Sequence, residues 1–245
     1  MRKKIALYTV LAGEYDELNS ITLSSDIEAF LISDRVRETP KGWKLIVIDK
    51  EAKESNVTFN RKFKIQPSLL FSDYDMTIYV DSNIEVKSEI KPLINQVSQS
   101  KYELALYRHP QRSSVYEEAD DLKRRGYDYF FNVDNQMTRY KEQGFKSKAL
   151  YEANIIVRKN TSLVNNTMKL WWDEFSRGVK RDQLSLTYSC FKTGLEVYCL
   201  GKHDGRFVNK YFYYHPHLKK NASNNIIAKI VNRLWEVFFL QNKRY

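Results

Sequence analysis

Ile78-Tyr79-Val80-Asp81-Ser82-Asn83-Ile84-Glu85 is the stretch on which the reading of this chain turns. An apolar run, Met76 to Val80, meets a carboxylate at Asp81 and an amide at Asn83. Short apolar runs bounded by turn residues predict strands buried on both faces. A side-chain period of two puts Asp81 and Asn83 on the same side. Two hard oxygen ligands then converge just past a sheet edge, where a divalent cation (Mn2+ or Mg2+) and a diphosphate find a seat. An ordinary turn explains the same residues through local hydrogen bonds. A second segment, Arg181-Asp182-Gln183, and the order of the remaining elements favour a site.

Working outward, Ile5 to Leu11 reads as a first buried strand ended by Gly13, and Ala29–Ile32 and Leu45–Ile48 repeat the pattern. Asn60 to Leu70 is helical up to Pro67, followed by the Met76–Val80 strand, a helix over Ile90–Gln99 and a strand over Leu104–Tyr107. Tyr116–Arg125 and Val133–Gln143 predict charged helices, Ala149–Val157 a strand, and Leu170–Phe175 and Asp182–Lys192 further helices. Val208–Tyr214 reads as a last strand. Strands that end in polar residues and alternate with helices predict an α/β fold, with a mostly parallel, Rossmann-like central sheet flanked by helices. The tail from Asn224 to Leu240 is a basic amphipathic helix: Ile226, Ile227, Ile230, Val231, Leu234, Trp235 and Phe238 mark one face, Lys229, Asn232 and Arg233 the other. Such a helix either packs on its own domain or lies in a membrane interface.

At 245 residues, 42% hydrophobic and 29% charged, the chain has ample core for one large domain or two small ones and is not broadly disordered. Its 14% aromatic content suits a carbohydrate-stacking surface and equally a plain core. The net charge of +10 implies an attraction to anions: nucleic acid, an anionic membrane surface or a phosphorylated substrate. Zinc-finger spacing, an RNP-like aromatic signature and a helix-turn-helix are all missing, which argues against nucleic acid. Cys190 and Cys199 read as reduced core residues. The basic Met1-Arg2-Lys3-Lys4 start lacks a signal-type apolar stretch, and no apolar run approaches a membrane span. The expected location is cytoplasmic, or peripheral on the inner face of the cell membrane.

The pieces TVLAGEYDEL (9–18), SDYDMTIYVDSNIEV (72–86) with the Arg61/Lys64 helix before it, HPQRSSVYEEAD (109–120), LYEANIIVRKN (150–160) and RDQLSLTY (181–188) together resemble a GT-A-type nucleotide-sugar glycosyltransferase. More closely, they resemble the glycosyltransferase-like family long filed as a domain of unknown function, with plant mucilage-related and bacterial polysaccharide-locus members. The resemblance implies a GT-A-like domain over 1–220 followed by the C-terminal helix, 221–245. It also implies transfer of a sugar from a nucleotide-sugar donor to a glycan or lipid-linked glycan. A hydrolase using the same carboxylates on a lipid or glycoside, and a non-catalytic module that binds anions or membranes, stand as alternatives.

Sugar transfer needs the leaving diphosphate neutralised, the donor held and the acceptor hydroxyl deprotonated. Asp81, with Ser82 and Asn83, is the candidate metal-diphosphate seat, although the second position departs from the Asp-x-Asp pattern of metal-dependent GT-A enzymes. Arg61 and Lys64, three apart on a helix, share that task or form a solvated face. By resemblance, Thr9, Gly13, Tyr15 and Asp34 fall in loops that hold the nucleotide. Asp182 resembles the active-site aspartate of such enzymes, serving as base or electrostatic stabiliser, with Gln183 on a sugar hydroxyl; a helix cap explains the aspartate equally. Glu152 is the second carboxylate candidate and Asn154 a donor-sugar ligand. His109, Arg108 and Arg112 suit an anionic acceptor or the diphosphate, with Glu117 and Glu118 orienting the arginines. The resemblance also implies a late metal-ligating histidine beside a phosphate-binding lysine, here His217 with Lys220, with His215 as the alternative and His203 as a surface residue.

Overall fold

Four apolar runs build one half of a seven-stranded sheet: β1 (Ile5–Leu11), β2 (Ile27–Ser33), β3 (Trp43–Val47) and β4 (Met76–Val80). β1 and β4 are buried along their whole length, as strands covered on both faces must be. A computed structural model describes residues 3–13, 17–87, 89–202, 209–216 and 225–240. The remaining strands are β5 (Ile84–Val86), β6 (Leu104–Arg108), β7 (Tyr151–Lys159), β8 (Val197–Cys199) and β9 (Phe212–Tyr214). The sheet runs β3-β2-β1-β4-β7-β6-β8, while β5 and β9 form a separate antiparallel pair. β7 runs antiparallel to both β4 and β6, and the other neighbours are parallel. The expected α/β class with a mostly parallel central sheet is therefore what the chain adopts.

The helices are α1 (Asn56–Ile65), α2 (Ser68–Phe71), α3 (Lys91–Gln99), α4 (Val115–Arg125), α5 (Phe130–Glu142), α6 (Ser162–Arg177), α7 (Asp182–Thr193) and α8 (Ile226–Trp235), the last continuing as a π-turn over Glu236–Leu240. One sheet face packs Tyr8, Tyr79 and Ile156 against Phe59 and Phe63 of α1 and Trp171 and Phe175 of α6. The other packs Leu7, Ile78 and Val157 against Leu93, Ile94 and Val97 of α3 and Phe212 of β9. A third cluster joins α4, α5 and α7 through Leu122, Met137, Tyr140, Leu184 and Tyr188.

Several boundaries differ from the sequence reading for identifiable reasons. α1 begins at Asn56 rather than Asn60 because Ser55 caps it, accepting from the Thr58 N–H at 3.0 Å. α6 reaches back to Ser162 because Thr161 does the same for Val164. β5 and β8, three residues each, are too short to show a period. Of the expected Val208–Tyr214 strand, Phe212–Tyr214 is β9 and residue 208 lies outside the described residues. Cys190 is buried in α7, and burial pushes its thiol up to about 12. Cys199 is exposed, contrary to expectation, because β8 is an edge strand.

Candidate active site

Parallel strands end together, and β7, running the other way, begins at that same edge. The C-termini of β1, β2, β4 and β6 thus meet the N-terminal half of β7. The Asp81 N–H donates to the Asn154 carbonyl (2.8 Å), and the His109 N–H to that of Leu150 (2.9 Å). A register shift between Leu106 and Arg108 turns the end of β6 toward β7. The N-terminus of α7 adds Arg181-Asp182-Gln183 to this edge.

Asp81 follows the last residue of β4. Its Oδ1 accepts from the Tyr79 hydroxyl (2.7 Å), the i−2 neighbour on the same strand face, and lies 3.4 Å from Lys64 Nζ. The same ammonium sits 2.8 Å from Asp182 Oδ2, and Arg61 Nε lies 2.9 Å from that oxygen. Two carboxylates far apart in the chain therefore share one lysine. The Lys64 side chain is 2% exposed and that of Asp182 3%, whereas Asp81 keeps 29% and Arg61 24% open. Burial alone would raise the pKa of Asp182, but Arg61, Lys64 and Arg181 outweigh it and hold the carboxyl far below the usual range. Burial and the Asp81 charge together push the Tyr79 phenol well up, so it stays a donor. Asp182 Oδ1 also accepts from the Gln183 N–H (3.1 Å), but the helix cap expected of it is not formed: Arg181 occupies the cap position, without a side-chain hydrogen bond, and Asp182 is the first residue of α7.

Each residue of the 181–183 triplet holds a different element. Arg181 Nε pairs with the buried Glu118 of α4 (3.0 Å), Asp182 holds α1, and Gln183 Nε2 donates to Glu152 Oε2 of β7 (2.8 Å). Glu118 also takes Arg112 Nε at 2.5 Å, so it orients both arginines, while Glu117 accepts from the Ser113 N–H and hydroxyl. His109 Nδ1 accepts from the Gln111 and Arg112 N–H groups, and its Nε2 lies 3.1 Å from Arg112 Nη2 and 3.5 Å from Glu152 Oε1. Among the described residues, Arg108 donates to the Lys148 carbonyl at 3.5 Å. Gln183 Oε1 is buried and accepts no hydrogen bond among the described residues.

Other expected residues sit differently. Thr9 is fully buried inside β1 rather than in a loop, with its hydroxyl unpaired. Gly13 takes φ +68°, and its N–H donates to both Asp34 oxygens at 3.1 Å. Arg35 Nε, Arg37 Nη2 and Lys50 Nζ also surround Asp34, which ties the β1 and β2 loops together. Burial opposes ionisation there, but the Gly13 N–H and Arg35 lower the pKa. Beyond Val80 the strand alternation stops: the Ile84 N–H closes a turn onto the Asp81 carbonyl. Asn83 Nδ2 then donates to the His215 carbonyl (2.9 Å), and His215 Nε2 contacts Glu85 Oε2 at 2.6 Å. These contacts line a cavity of about 180 Å3 with Ser82, Asn19 and Trp43. Tyr15, His203, His217 and Lys220 lie outside the described residues.

A divalent cation does not fit between Asp81 and Asp182 as these side chains stand. The Lys64 ammonium takes the place between Asp81 and Asp182, while Asn83 donates through its amide nitrogen to His215, a bond that does not use the amide oxygen. Among the described residues, no three His, Cys, Asp or Glu side chains gather as a metal site.

Sequence reasoning assigned no role to Tyr79, Arg181 or Arg158. The last is buried in β7; it donates to the Lys64 carbonyl (3.0 Å) and also meets the Tyr8 hydroxyl, fixing the end of α1 that carries Lys64. Its signal was the period of two, which puts Arg158 on the face of Ile156.

Residues 16–199 match the TOD1/MUCI70 glycosyltransferase-like domain, and the chain belongs to that family. The matched span contains every residue of the Asp81–Lys64–Asp182–Arg61 cluster and of its Glu118, Glu152 and His109 surroundings. No curated protein matches the chain. Among the described residues, no helix is long and apolar enough to cross a membrane.

Proposed function

We propose that the chain is a GT-A-type glycosyltransferase that moves a sugar from a nucleotide diphosphate donor to a glycan or lipid-linked glycan acceptor. The observation that carries this reading is the single ammonium shared by Asp81 and Asp182 at the sheet edge, inside a glycosyltransferase-like domain. Arg61, partly exposed, and Lys64 beside it offer fixed positive charge to the departing diphosphate. The unpaired Gln183 Oε1 accepts from a sugar hydroxyl, which removes the cost of leaving that oxygen bare.

Asp182 is ionised and nearly closed off, and a carboxylate with so low a pKa is a poor base near neutral pH. Its role in this scheme is to hold Lys64 and Arg61 in position. Asp81, the most exposed of the three carboxylates named for the chemistry, faces the sugar or acceptor hydroxyl. Glu152, braced by Gln183 and His109, supports the donor sugar from β7.

Isothermal calorimetry with a panel of nucleotide-diphospho-sugars tests the reading. Saturable heat with at least one donor is expected, weakened about tenfold or more in Arg61→Ala through loss of a charge-assisted contact. Absence of heat across the panel, or an Arg61→Ala variant that binds like wild type, would remove the basis for the proposal.

A further inference from the structure

The C-terminal helix is docked with its apolar side outward. Winding at about 100° per residue puts Ile226, Ile227, Ile230 and Leu234 within an arc of roughly 100°, and these side chains are 71%, 60%, 56% and 51% exposed. Phe238, in the π-turn that follows, is 60% exposed. The residues of α8 that face the protein are instead Ala228 and the polar Asn232.

Specific contacts hold this orientation. Asn232 Oδ1 accepts from the Phe130 N–H (2.7 Å), and its Nδ2 donates to the carbonyls of Lys123 (3.0 Å) and Asp128 (2.9 Å). Trp235 stacks on Phe130 with ring centroids 4.4 Å apart. Gly126, the left-handed cap of α4, lets the helix approach so closely that a Cβ there would lie 2.5 Å from that of Lys229. An amphipathic helix that buries an asparagine and leaves three isoleucines and a leucine in water has its principal partner outside the domain.

We infer that α8 seats the protein on an anionic lipid surface. Lys229 and Arg233 flank the apolar arc, and the sequence brackets the helix with Lys219-Lys220 and Lys243-Arg244. Apolar side chains bordered by basic ones match the acyl-headgroup boundary of a bilayer with negative headgroups. A second copy of the chain fits less well, because it would bring two net charges of +10 and two such basic rims together. α4 links this surface to the sheet edge that carries the carboxylates: Gly126 at its end meets α8, and Glu118 near its start holds Arg112 and Arg181. At about 1.5 Å per residue, that places the docked helix roughly 12 Å along α4 from Glu118. The inference holds whether or not the cleft transfers a sugar.

Vesicle flotation of the full chain tests it, using phosphatidylcholine alone and phosphatidylcholine mixed with phosphatidylglycerol. Wild type should float with the anionic vesicles and stay behind with the neutral ones, and the bound fraction should fall as salt rises. Ile230→Asp/Leu234→Asp and Lys229→Glu/Arg233→Glu should each weaken binding by about tenfold or more. Circular dichroism should be unchanged in both variants, and so should the melting temperature of Ile230→Asp/Leu234→Asp, since those two side chains point outward. No flotation with anionic vesicles, or flotation that Ile230→Asp/Leu234→Asp leaves intact, overturns the inference. So does a wild-type dimer on size exclusion that Leu234→Asp converts to monomer, because a second copy would then cover the face.

Discussion

Replacing Lys64 with methionine keeps the unbranched stem up to Cε and removes the ammonium. The ammonium is nearly inaccessible and touches Asp182 at 2.8 Å and Asp81 at 3.4 Å, so its loss leaves the buried Asp182 short of a counter-ion. Removing one partner of a buried ion pair costs about 3–5 kcal/mol. The lower end applies here, because Arg61 still lies 2.9 Å from Asp182 and Tyr79 still donates to Asp81. A loss of about 3 kcal/mol in a chain of this size lowers the melting temperature by roughly 6–12 °C. Asp182→Asn, measured alone and with Lys64→Met, completes a double-mutant cycle in which the coupling should be about 2 kcal/mol. Urea denaturation followed by circular dichroism supplies the free energies. A Lys64→Met variant that melts within about 2 °C of wild type, or strictly additive single changes, would refute the shared-ammonium geometry.

Three further outcomes follow from the same contacts. Because the Asp182 pKa is depressed in the folded state, its stabilisation is complete above the unfolded value near 4 and is lost as pH falls toward the folded value. The stability gap between wild type and Asp182→Asn should therefore narrow in acid titrations below about pH 4; a gap constant from neutral pH into strong acid contradicts this. Gly13→Ala forces a side chain into a φ of +68° with its Cβ 2.5 Å from Asn56 Nδ2, and should cost about 1–2 kcal/mol in urea unfolding. An unchanged midpoint would be inconsistent with that conformation. With Lys64 seated between the carboxylates, EDTA should leave donor affinity within about fivefold, roughly 1 kcal/mol. Binding that vanishes in EDTA and returns with Mn2+ would mean that a cation displaces Lys64 from Asp81.

Much of the sheet was legible because its strands are buried on both faces. β1 and β4 announce themselves as unbroken apolar runs, and their polar ends mark the edge where the site lies. Asp81 was singled out for the same reason, whereas Asp182, which opens a helix, was singled out through the resemblance of its segment. What the sequence could not show is how the charges partition. Lys64 follows from helix spacing as readily as a solvated residue as a buried one, and only packing of α1 against the sheet closes it off. Asp34 looked like a ribose ligand, yet three basic side chains and a backbone N–H surround it, two of those bases from positions 35 and 37 just after it. Asn83 turns its amide nitrogen to the His215 carbonyl, a contact that period-two reasoning does not foresee because it ends where the strand ends. The amphipathic tail was visible, but periodicity gives the width of an apolar face and not its direction. The contacts of Asn232 set that direction.

Release of nucleoside diphosphate from a matched nucleotide-sugar, compared between wild type and Asp81→Asn, bears most directly on the central claim. The amide keeps the shape of the side chain and its contact with Tyr79 while removing the charge that faces the cleft. Turnover by wild type, and a loss of about a hundredfold or more (roughly 2.7 kcal/mol) in the variant at unchanged folding, is the result predicted. Wild type that releases nothing from any donor, or an Asp81→Asn protein that turns over at the wild-type rate, would contradict it.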